Sequence, residues 1–253
     1  MFRIENAKSA LVVGGGRGIG LGIVYQLLRK FPEVEVYATY RSAERALGLL
    51  ELETQYANRL HPIVCDPLSE SDLKTLASTI KLKHKNMGLV VIASGILHRP
   101  GGAPEKSLRN IDLEQLQEVF QVNAFVTPLV AKHMKNLISR SEPSAFISLS
   151  AMVGSIEDNE LGGWYGYRAS KTALNMFLKT IAIELKRSGF KAQVGAIHPG
   201  TTKTELSAKF VDTVQHKVWE PQDAADNILQ VIDNLSPDET GFFKNWDANT
   251  IPW

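Results

Sequence analysis

Tyr167 and Lys171 lie four residues apart at the start of a stretch with helical periodicity, which places a phenol and an ammonium on one helix face. A free phenol ionises near pH 10 and is a poor base at neutral pH, but a neighbouring cation favours the phenolate. At an effective dielectric of about 20, two charges about 4 Å apart interact by roughly 4 kcal/mol, which lowers the phenol pKa by about three units at most. The pair is therefore a candidate acid/base device. Taken alone, the spacing also describes an amphipathic surface pair.

A glycine-rich turn near the N-terminus is the second candidate for chemistry. It follows an apolar run at residues 11–13, precedes a helical pattern at residues 21–30, and has the spacing Gly-x3-Gly-x-Gly. Such glycines let the backbone approach a pyrophosphate, and the helix N-terminus offers free amide hydrogens to the anion. The residues predicted to contact a nucleotide are Gly14, Arg17, Gly18, Ile19 and Gly20. The loop lacks the Gly-Lys-Ser/Thr of an ATPase loop, and an ordinary strand-to-helix turn is the alternative.

The end of the second predicted strand indicates which dinucleotide is bound. A carboxylate there would bind the ribose 2′-hydroxyl of NAD, whereas a basic residue accommodates the 2′-phosphate of NADP. The strand is followed by Arg41, and Arg17 lies in the glycine turn, so two guanidinium groups are available to one phosphate. The sequence therefore favours NADP(H), with NAD(H) not excluded. A solvated loop position is the other interpretation of Arg41.

The composition limits the class of protein. With 253 residues, 44% apolar and 22% charged, the chain suits one α/β domain over residues 1–253. Its 28 basic and 27 acidic side chains give a net charge of +1, so we expect neither nucleic acid nor a membrane as a partner. Cys65 is the only cysteine, which excludes an internal disulfide, and no Cys/His spacing resembles a metal site. The short apolar start is not a signal peptide or a membrane span, so we expect a cytoplasmic protein.

Short apolar runs alternate with helical stretches along the chain. The runs are residues 10–13, 34–39, 62–65, 89–93, 145–149 and 193–197, with a last one near 241–243. Strands that alternate with helices predict right-handed crossovers and a parallel sheet. Because the runs are continuously apolar, we expect strands that are buried on both faces. The predicted fold is α/β, a single-domain Rossmann fold with a doubly wound parallel sheet of about seven strands and helices on both faces.

Capping residues and periodicity predict where the helices lie. Ser71 is placed to cap one helix, and Asp112 with Gln115 resembles a capping box at the start of another. Residues 220–223 open a further helix with a proline in its first turn. Residues 169–185 form a long predicted helix whose apolar positions repeat every four residues, at Ala173, Phe177, Ile181 and Leu185.

Three motifs in this order resemble the short-chain dehydrogenase/reductase family over nearly the whole chain. They are the glycine turn, the Tyr167-x3-Lys171 pair, and Pro199-Gly200 after the sixth predicted strand. Residues 153–156 and 249–253 resemble most closely the C-factor-like, Sniffer-like carbonyl reductase branch. The resemblance implies hydride transfer between NADP(H) and a small-molecule carbonyl or alcohol substrate. In that reaction Tyr167 is the general acid/base, and Lys171 lowers its pKa and binds the nicotinamide ribose.

The resemblance also implies cofactor contacts at individual positions. Asp66 matches an acid that binds the adenine amino group, and a turn cap is its other interpretation. Ala93, Ser94 and Gly95 match a segment under the adenine ribose, but Ala93 replaces the usual Asn, so other bonds must tie the sheet there. The residues expected at the nicotinamide end are Pro199, Gly200, Thr202 and Thr204, together with Tyr167 and Lys171.

Two catalytic assignments carried over from the family leave alternatives open. Asn123 matches the Asn that kinks its helix and holds a water near the catalytic lysine, and a surface Asn is the alternative. Along the family pattern the usual serine position falls on Ala151, so the hydroxyl that polarises the substrate carbonyl would come from Ser150 or Ser155. Ser150 is favoured because it ends the fifth predicted strand.

The sequence does not identify the substrate, which the loops at 98–109, 157–163 and 201–217 would shape. An NADP-binding signalling or partner-binding protein with little turnover is the competing function. A hydrolase is disfavoured because the chain has no Gly-x-Ser-x-Gly or His-Glu-x2-His. The family resemblance implies a homodimer or homotetramer that pairs through the helices bearing Asn123 and Lys171.

Overall fold

Seven parallel strands form one sheet in the computed structural model, which describes residues 1–208, 210–211, 214–215 and 217–253. The strands are β1 (Ser9–Val13), β2 (Glu35–Tyr40), β3 (Leu60–Val64), β4 (Leu89–Ile92), β5 (Ser144–Leu149), β6 (Ala192–His198) and β7 (Phe242–Asn245). Their order is β3-β2-β1-β4-β5-β6-β7, and every neighbouring pair is parallel. The order reverses between β1 and β4, where a crevice for a ligand opens at the carboxyl ends of the strands. The predicted doubly wound α/β fold is confirmed.

Helices cover both faces of the sheet, as predicted. They are α1 (Gly18–Lys30), α2 (Leu47–Gln55), α3 (Glu70–Lys83), α4 (Leu113–Phe120), α5 (Val126–Met134), α6 (Tyr165–Arg187) and α7 (Pro221–Asp233). The side chains of β1 alternate: Ala10 and Val12 pack with α1, α2 and α7, whereas Leu11 and Val13 pack with α3, α5 and α6. Among the described helices, none is long and apolar enough to cross a membrane.

The helix starts agree with the predictions in part. Asp112 accepts a hydrogen bond from the Gln115 amide at 2.8 Å, and Pro221 opens α7, both as expected. The prediction for α3 is wrong by two residues, because Ser69 accepts the Asp72 amide at 3.2 Å and is the N-cap. Ser71 lies inside the first turn instead. It has the same hydroxyl chemistry as Ser69, so the local pattern alone does not separate the two.

Helix α6 begins at Tyr165, earlier than the predicted residue 169, so Tyr167 lies in its first turn. Its buried apolar positions are Leu174, Leu178, Ala182 and Leu185. Three of the four positions in the predicted stripe are only half-buried: Ala173, Phe177 and Ile181. The buried stripe lies one residue further along because Tyr167 and Lys171 are themselves on the buried face.

Candidate active site

A cavity of about 1280 Å³ lies at the carboxyl ends of the strands. It exceeds the volume of roughly 300–1,000 Å³ that is usual for a drug-sized ligand, so it has room for a larger ligand such as a dinucleotide. Most of the predicted site residues line it: Gly14, Arg17, Gly18, Ile19, Arg41, Asp66, Ala93, Ser94, Gly95, Ser150, Tyr167, Lys171, Pro199, Gly200, Thr202 and Thr204. Gly20, Asn123 and Ser155 lie behind its wall.

The glycine turn is held in place by the end of β2. The Gly14 amide donates to the Thr39 hydroxyl at 3.0 Å, and the Gly15 amide donates to the Thr39 carbonyl at 2.9 Å. A Cβ on Gly20 would lie 2.1 Å from the Gly14 carbonyl oxygen, so the turn can close on α1 only with glycine at that position. Thr39 is 1% exposed, and sequence reasoning did not identify it. Its only signal is a hydroxyl at the end of an apolar strand.

The first turn of α1 opens on the cavity without a side-chain cap. Its N-cap residue is Arg17, whose side chain makes no capping hydrogen bond. The amide hydrogens of such a turn and the helix dipole together favour an anion. This is the arrangement that the glycine spacing predicted.

Three arginines converge beside this turn. Arg17, Arg41 and Arg45 all line the cavity, and burial together with repulsion from Arg45 and Arg41 lowers the pKa of Arg17. Arg17 and Arg45 both donate to the Glu205 carboxylate, so one acidic side chain draws them together. Arg45 and Glu205 were not predicted, although Arg45 follows Arg41 by four residues. The cluster can bind a multiply charged anion such as a phosphate monoester.

The adenine-side residues have structural partners of their own. The Asp66 carboxylate lines the cavity and also accepts the Leu68 amide at 3.0 Å, so both interpretations of Asp66 are compatible with its position. The Ala93 amide donates to the Val13 carbonyl at 2.8 Å. This backbone bond, with the Thr39 bonds to the glycine turn, ties the strand ends together where the family's Asn is replaced.

Asn123 lies in a π-helical turn, Gln121–Phe125, between α4 and α5. Its side chain is buried, accepts the Ile96 amide at 2.8 Å, and donates to the Ile96 carbonyl at 2.8 Å and to the Ser170 hydroxyl at 3.0 Å. The surface alternative is therefore wrong. A Cβ on Gly95 would lie 3.5 Å from Asn123 Oδ1 and 3.6 Å from Lys171 Nζ, which places all three groups together.

Tyr167 and Lys171 are both buried, at 8% and 3% exposure. The ammonium donates to the Leu149 carbonyl at 2.9 Å and lies 5.8 Å from the centre of the Tyr167 ring. Burial raises the pKa of Tyr167 to about 12 and lowers the pKa of Lys171 to about 8. The expected lowering of the Tyr167 pKa is wrong in this structure, because desolvation disfavours both charged forms. Tyr167 is consequently a protonated phenol at neutral pH.

The two candidate serines and Ala151, at the usual serine position, differ in their surroundings. Ser150 lines the cavity, and its hydroxyl donates to Asn175 Oδ1 at 2.7 Å. Ser155 lies outside the cavity lining and donates to the Trp253 carbonyl at 3.4 Å. Ala151 lines the cavity and belongs to the same buried apolar cluster as Tyr167. A methyl group of the Tyr167 cluster therefore stands at the chain position where the family pattern has a hydroxyl.

An apolar wall faces Tyr167 and was not predicted as a unit. The Trp164 ring lies 6.2 Å from the Tyr167 ring and 5.2 Å from the Phe210 ring, measured between centroids. Leu97, Leu206 and Phe210 pack in the same cluster. The members come from three separate loops, so no local pattern joins them. Residues 209, 212, 213 and 216 of the loop predicted at 201–217 lie outside the described residues.

Two indoles surround the Pro199-Gly200 turn. Gly200 has a φ of 75°, and a Cβ there would lie 2.9 Å from both the Trp219 and the Trp246 rings. The Thr202 hydroxyl donates to the Gly200 carbonyl at 3.2 Å. Glycine is required both by the backbone angle and by the close indoles.

Comparison with known proteins adds four findings. The family model described as short chain dehydrogenase matches residues 8–215. Benzil reductase ((S)-benzoin forming) of Saccharomyces cerevisiae is 30% identical over 213 residues, 82% of this chain and 76% of that protein. The NADPH-bound carbonyl reductase from chicken fatty liver has a TM-score of 0.87 and 27% identity, covering 100% of this chain and 96% of that one. Carbonyl reductase Sniffer of D. melanogaster has a TM-score of 0.85 and 26% identity, covering 97% and 99%.

Proposed function

Because the chain belongs to the short-chain dehydrogenase family of oxidoreductases, we propose that it is an NADP(H)-dependent carbonyl reductase in which Tyr167 supplies the proton. One observation carries the proposal: the buried Tyr167–Lys171 pair lines the same cavity as the three convergent arginines. Neither feature alone indicates a nicotinamide enzyme. Together they support one, because a candidate acid/base group and a candidate anion site line one cavity.

The donor set fits NADP(H), which supplies the hydride when bound. The uncapped first turn of α1 would hold the pyrophosphate, and Arg17, Arg41 and Arg45 would hold the 2′-phosphate. Asp66 and the segment 93–95 would contact the adenosine. Pro199, Gly200, Thr202 and Thr204 would contact the nicotinamide end. The NADPH-bound chicken reductase supports this choice of cofactor.

In the reducing direction Tyr167 donates its proton to the substrate oxygen. Its raised pKa keeps the phenol protonated at neutral pH, and the Lys171 ammonium, charged below about pH 8, stabilises the phenolate that forms. Ser150 is the hydroxyl that we assign to the substrate carbonyl, and it must turn from Asn175 to reach that oxygen. Asn123 ties segment 95–96 to α6 and holds the water that resupplies the proton.

The substrate is an uncharged carbonyl compound with an apolar or aryl group. The surroundings of Tyr167 support this class, because Leu97, Ala151, Trp164 and Phe210 offer apolar and aromatic contacts. An aromatic ring of the substrate would pack well between such side chains. The relative from S. cerevisiae reduces benzil, a diketone with two aryl groups, which agrees with this assignment.

The oligomer is a homodimer or homotetramer. The half-exposed face of α6 and the adjoining π-helical turn support it, since Phe125, Met176 and Ile183 are 42%, 66% and 51% exposed there. The centroid of the Phe125 ring lies 6.5 Å from that of Phe177 on the same face. We place the protein in the cytoplasm, where the buried Cys65, whose pKa burial raises to about 11, remains a thiol.

A comparison of wild type with Tyr167→Phe tests the function. We expect wild type to oxidise NADPH with aryl and alkyl ketones and aldehydes, and Tyr167→Phe to lose about 10²- to 10⁴-fold in kcat. NADPH binding, followed by cofactor fluorescence, should change less than threefold because the glycine turn and the arginines are intact. If both proteins bind NADPH and wild type reduces none of these carbonyls, the signalling or partner-binding alternative replaces the enzyme.

A further inference from the structure

Glu105 is a buried carboxylate that the proposed proton transfer does not use. It is 1% exposed, and within the described ranges it forms no ion pair. A carboxylate removed from water in this way is costly unless hydrogen bonds satisfy it. Glu105 has two such bonds, both to buried donors. Gln115 Nε2 donates to Oε1 at 2.7 Å, and the Gly166 amide donates to Oε2 at 3.2 Å.

The Gly166 amide is the group that an N-cap side chain usually satisfies. Helix α6 begins at Tyr165, so Gly166 is its second residue and Tyr167 its third. Trp164 occupies the N-cap position but has no acceptor in its side chain, and it makes no capping bond. Glu105 provides that bond from a position 61 residues earlier in the chain. Its negative charge also complements the positive end of the helix dipole.

Glu105 holds Trp164 through its backbone as well. The Trp164 amide donates to the Glu105 carbonyl at 2.5 Å. Trp164 has a φ of 49°, a left-handed conformation that is uncommon for a bulky residue and needs support from its surroundings. Its ring then packs edge-on against Tyr167. One residue therefore fixes both the backbone before Tyr167 and the aromatic ring beside it.

We propose that Glu105 is a positioning residue for Tyr167: its carboxylate caps the first turn of α6 and sets the orientation of the phenol in the cavity. The kinetic part of this assignment rests on the proposed reductase function. The capping part does not, since it concerns amides of the cofactor-free protein. Gln115 supports the cap, because its Nε2 donates both to the Ala103 carbonyl at 3.0 Å and to Glu105 Oε1. These two bonds keep the Glu105 carboxylate facing α6.

Glu105→Gln is the main test, because an amide cannot accept from both Gln115 and Gly166. Whichever way the new amide turns, its NH2 group faces one of the two donors. The double variant Glu105→Gln/Gln115→Glu restores a donor and an acceptor between positions 105 and 115 and between position 105 and the Gly166 amide, and only the Ala103 carbonyl loses its donor. Glu114→Gln is the matched control. It makes the same change from carboxylate to amide next to Gln115, but on an exposed side chain.

Hydrogen exchange tests the cap without turnover. We expect the Trp164 and Gly166 amides of cofactor-free Glu105→Gln to exchange about tenfold faster, with the amides of α6 beyond Lys171 unchanged. The double variant should return to within about threefold of wild type, and Glu114→Gln should equal wild type. Unchanged exchange in Glu105→Gln, or faster exchange along all of α6, would overturn the proposal.

Kinetics test the consequence for Tyr167. We expect Glu105→Gln to lower kcat about 10- to 100-fold while the KM for NADPH changes less than twofold, and the double variant to recover most of kcat. An equal loss in kcat and in NADPH affinity would mean general damage and would contradict a positioning role. If wild type has no reductase activity, the proposed function fails, and the exchange experiment still decides whether Glu105 caps α6.

Discussion

Two helices begin at the same cavity, and their first turns are organised in opposite ways. The first turn of α1 follows three consecutive glycines, has no side-chain cap, and leaves its amides to an anion. The first turn of α6 has an internal carboxylate cap from Glu105 and presents an aromatic ring and a phenol. Under the proposed function, the chain uses one helix end to bind charge and the other to hold a proton donor. The α1 turn leaves its amides uncapped, whereas the α6 turn is capped by a side chain 61 residues away.

This difference predicts which substitutions each helix start tolerates. The glycine turn closes by backbone contact, with Gly14, Gly20 and the end of β2 packed against one another. The α6 start closes by contact between side chains and backbone, and side chains can adjust. We therefore expect substitutions at the α1 start to affect the protein more severely than equivalent substitutions at the α6 start.

The sharpest comparison is Gly20→Ala against Gly166→Ala. A Cβ at position 20 would lie 2.1 Å from a backbone oxygen, whereas at position 166 its nearest neighbours, at 3.0 and 3.1 Å, are the ends of the Leu116 and Glu105 side chains. We expect Gly20→Ala to weaken NADPH binding about 100-fold or more, equivalent to roughly 3 kcal/mol. Gly166→Ala should lower kcat about fivefold and leave NADPH binding unchanged.

Fluorescence titration and steady-state kinetics measure both effects. Gly48→Ala, in α2, is the control, because its Cβ would meet only the flexible end of Leu21. It should bind NADPH like wild type. A Gly20→Ala protein that binds NADPH normally would show that the α1 turn can open without cost, and the comparison between the two helix starts would no longer hold.

The sequence predicted most of the α1 side and about half of the α6 side. The glycine turn, Arg17 and Arg41 lie in short runs whose chemistry can be recognised locally, and the parallel sheet follows from alternating strands and helices. The resemblance to short-chain dehydrogenases and to Sniffer-like carbonyl reductases is confirmed. Tyr167 and Lys171 share the buried face of α6, as their spacing indicated, and both line the cavity. That residues 1–253 form a single domain stays a prediction.

The features that sequence reasoning missed depend on tertiary contacts. Glu105 and Gly166 are 61 residues apart, and Trp164 meets Phe210 from another loop. The direction of the Tyr167 pKa was wrong for a related reason: spacing indicates that a lysine is near but not how far both groups are removed from water. The serine assignment stays a prediction, because the usual serine position is Ala151, in the Tyr167 cluster, and the Ser150 hydroxyl donates to Asn175.

The arginines beside α1 should determine the choice of cofactor. Arg41→Asp replaces the donor that we propose for the 2′-phosphate with a repelling charge, so we expect NADPH binding to weaken about 30- to 100-fold. NADH lacks that phosphate and should bind within about threefold of wild type. Arg187→Asp, at the exposed end of α6, is the control for net charge. Equal losses for NADPH and NADH would remove Arg41 from the phosphate site.

The pH dependence should report the α6 pair. Burial lowers the pKa of Lys171 to about 8 while Tyr167 stays protonated to about 12, so Lys171 is the group of the pair that changes charge between pH 7 and 10. We expect kcat/KM for NADPH to fall above about pH 8, up to tenfold per pH unit. Lys171→Met should be slower and lack this fall. A wild-type profile that is flat to pH 10 would contradict the assignment.

The same shift has a consequence for stability, with a definite sign. The folded pKa of Lys171 lies below its ordinary value of 10.5, so the unfolded chain binds more protons between about pH 8 and 10.5. The contribution of Lys171 to the free energy of unfolding should therefore increase with pH across this window. Urea unfolding of wild type and Lys171→Met at both ends of the window measures the difference.

Glu205→Gln should have the smallest effect, and in the opposite direction from the other variants. The Glu205 carboxylate accepts from Arg17 and Arg45, so it competes with a 2′-phosphate for the same donors. The pair is exposed, with 67% of the Glu205 side chain accessible, and exposed ion pairs contribute only about 0.2–1 kcal/mol. We expect NADPH to bind roughly two- to fivefold more tightly and NADH to be unchanged. Glu33→Gln, an exposed acid away from the cavity, controls for net charge. If the affinity for NADH rises as much as that for NADPH, Glu205 acts on the whole cavity rather than on the arginines. The anion site at the start of α1 would then be less specific for a 2′-phosphate than its three arginines indicate.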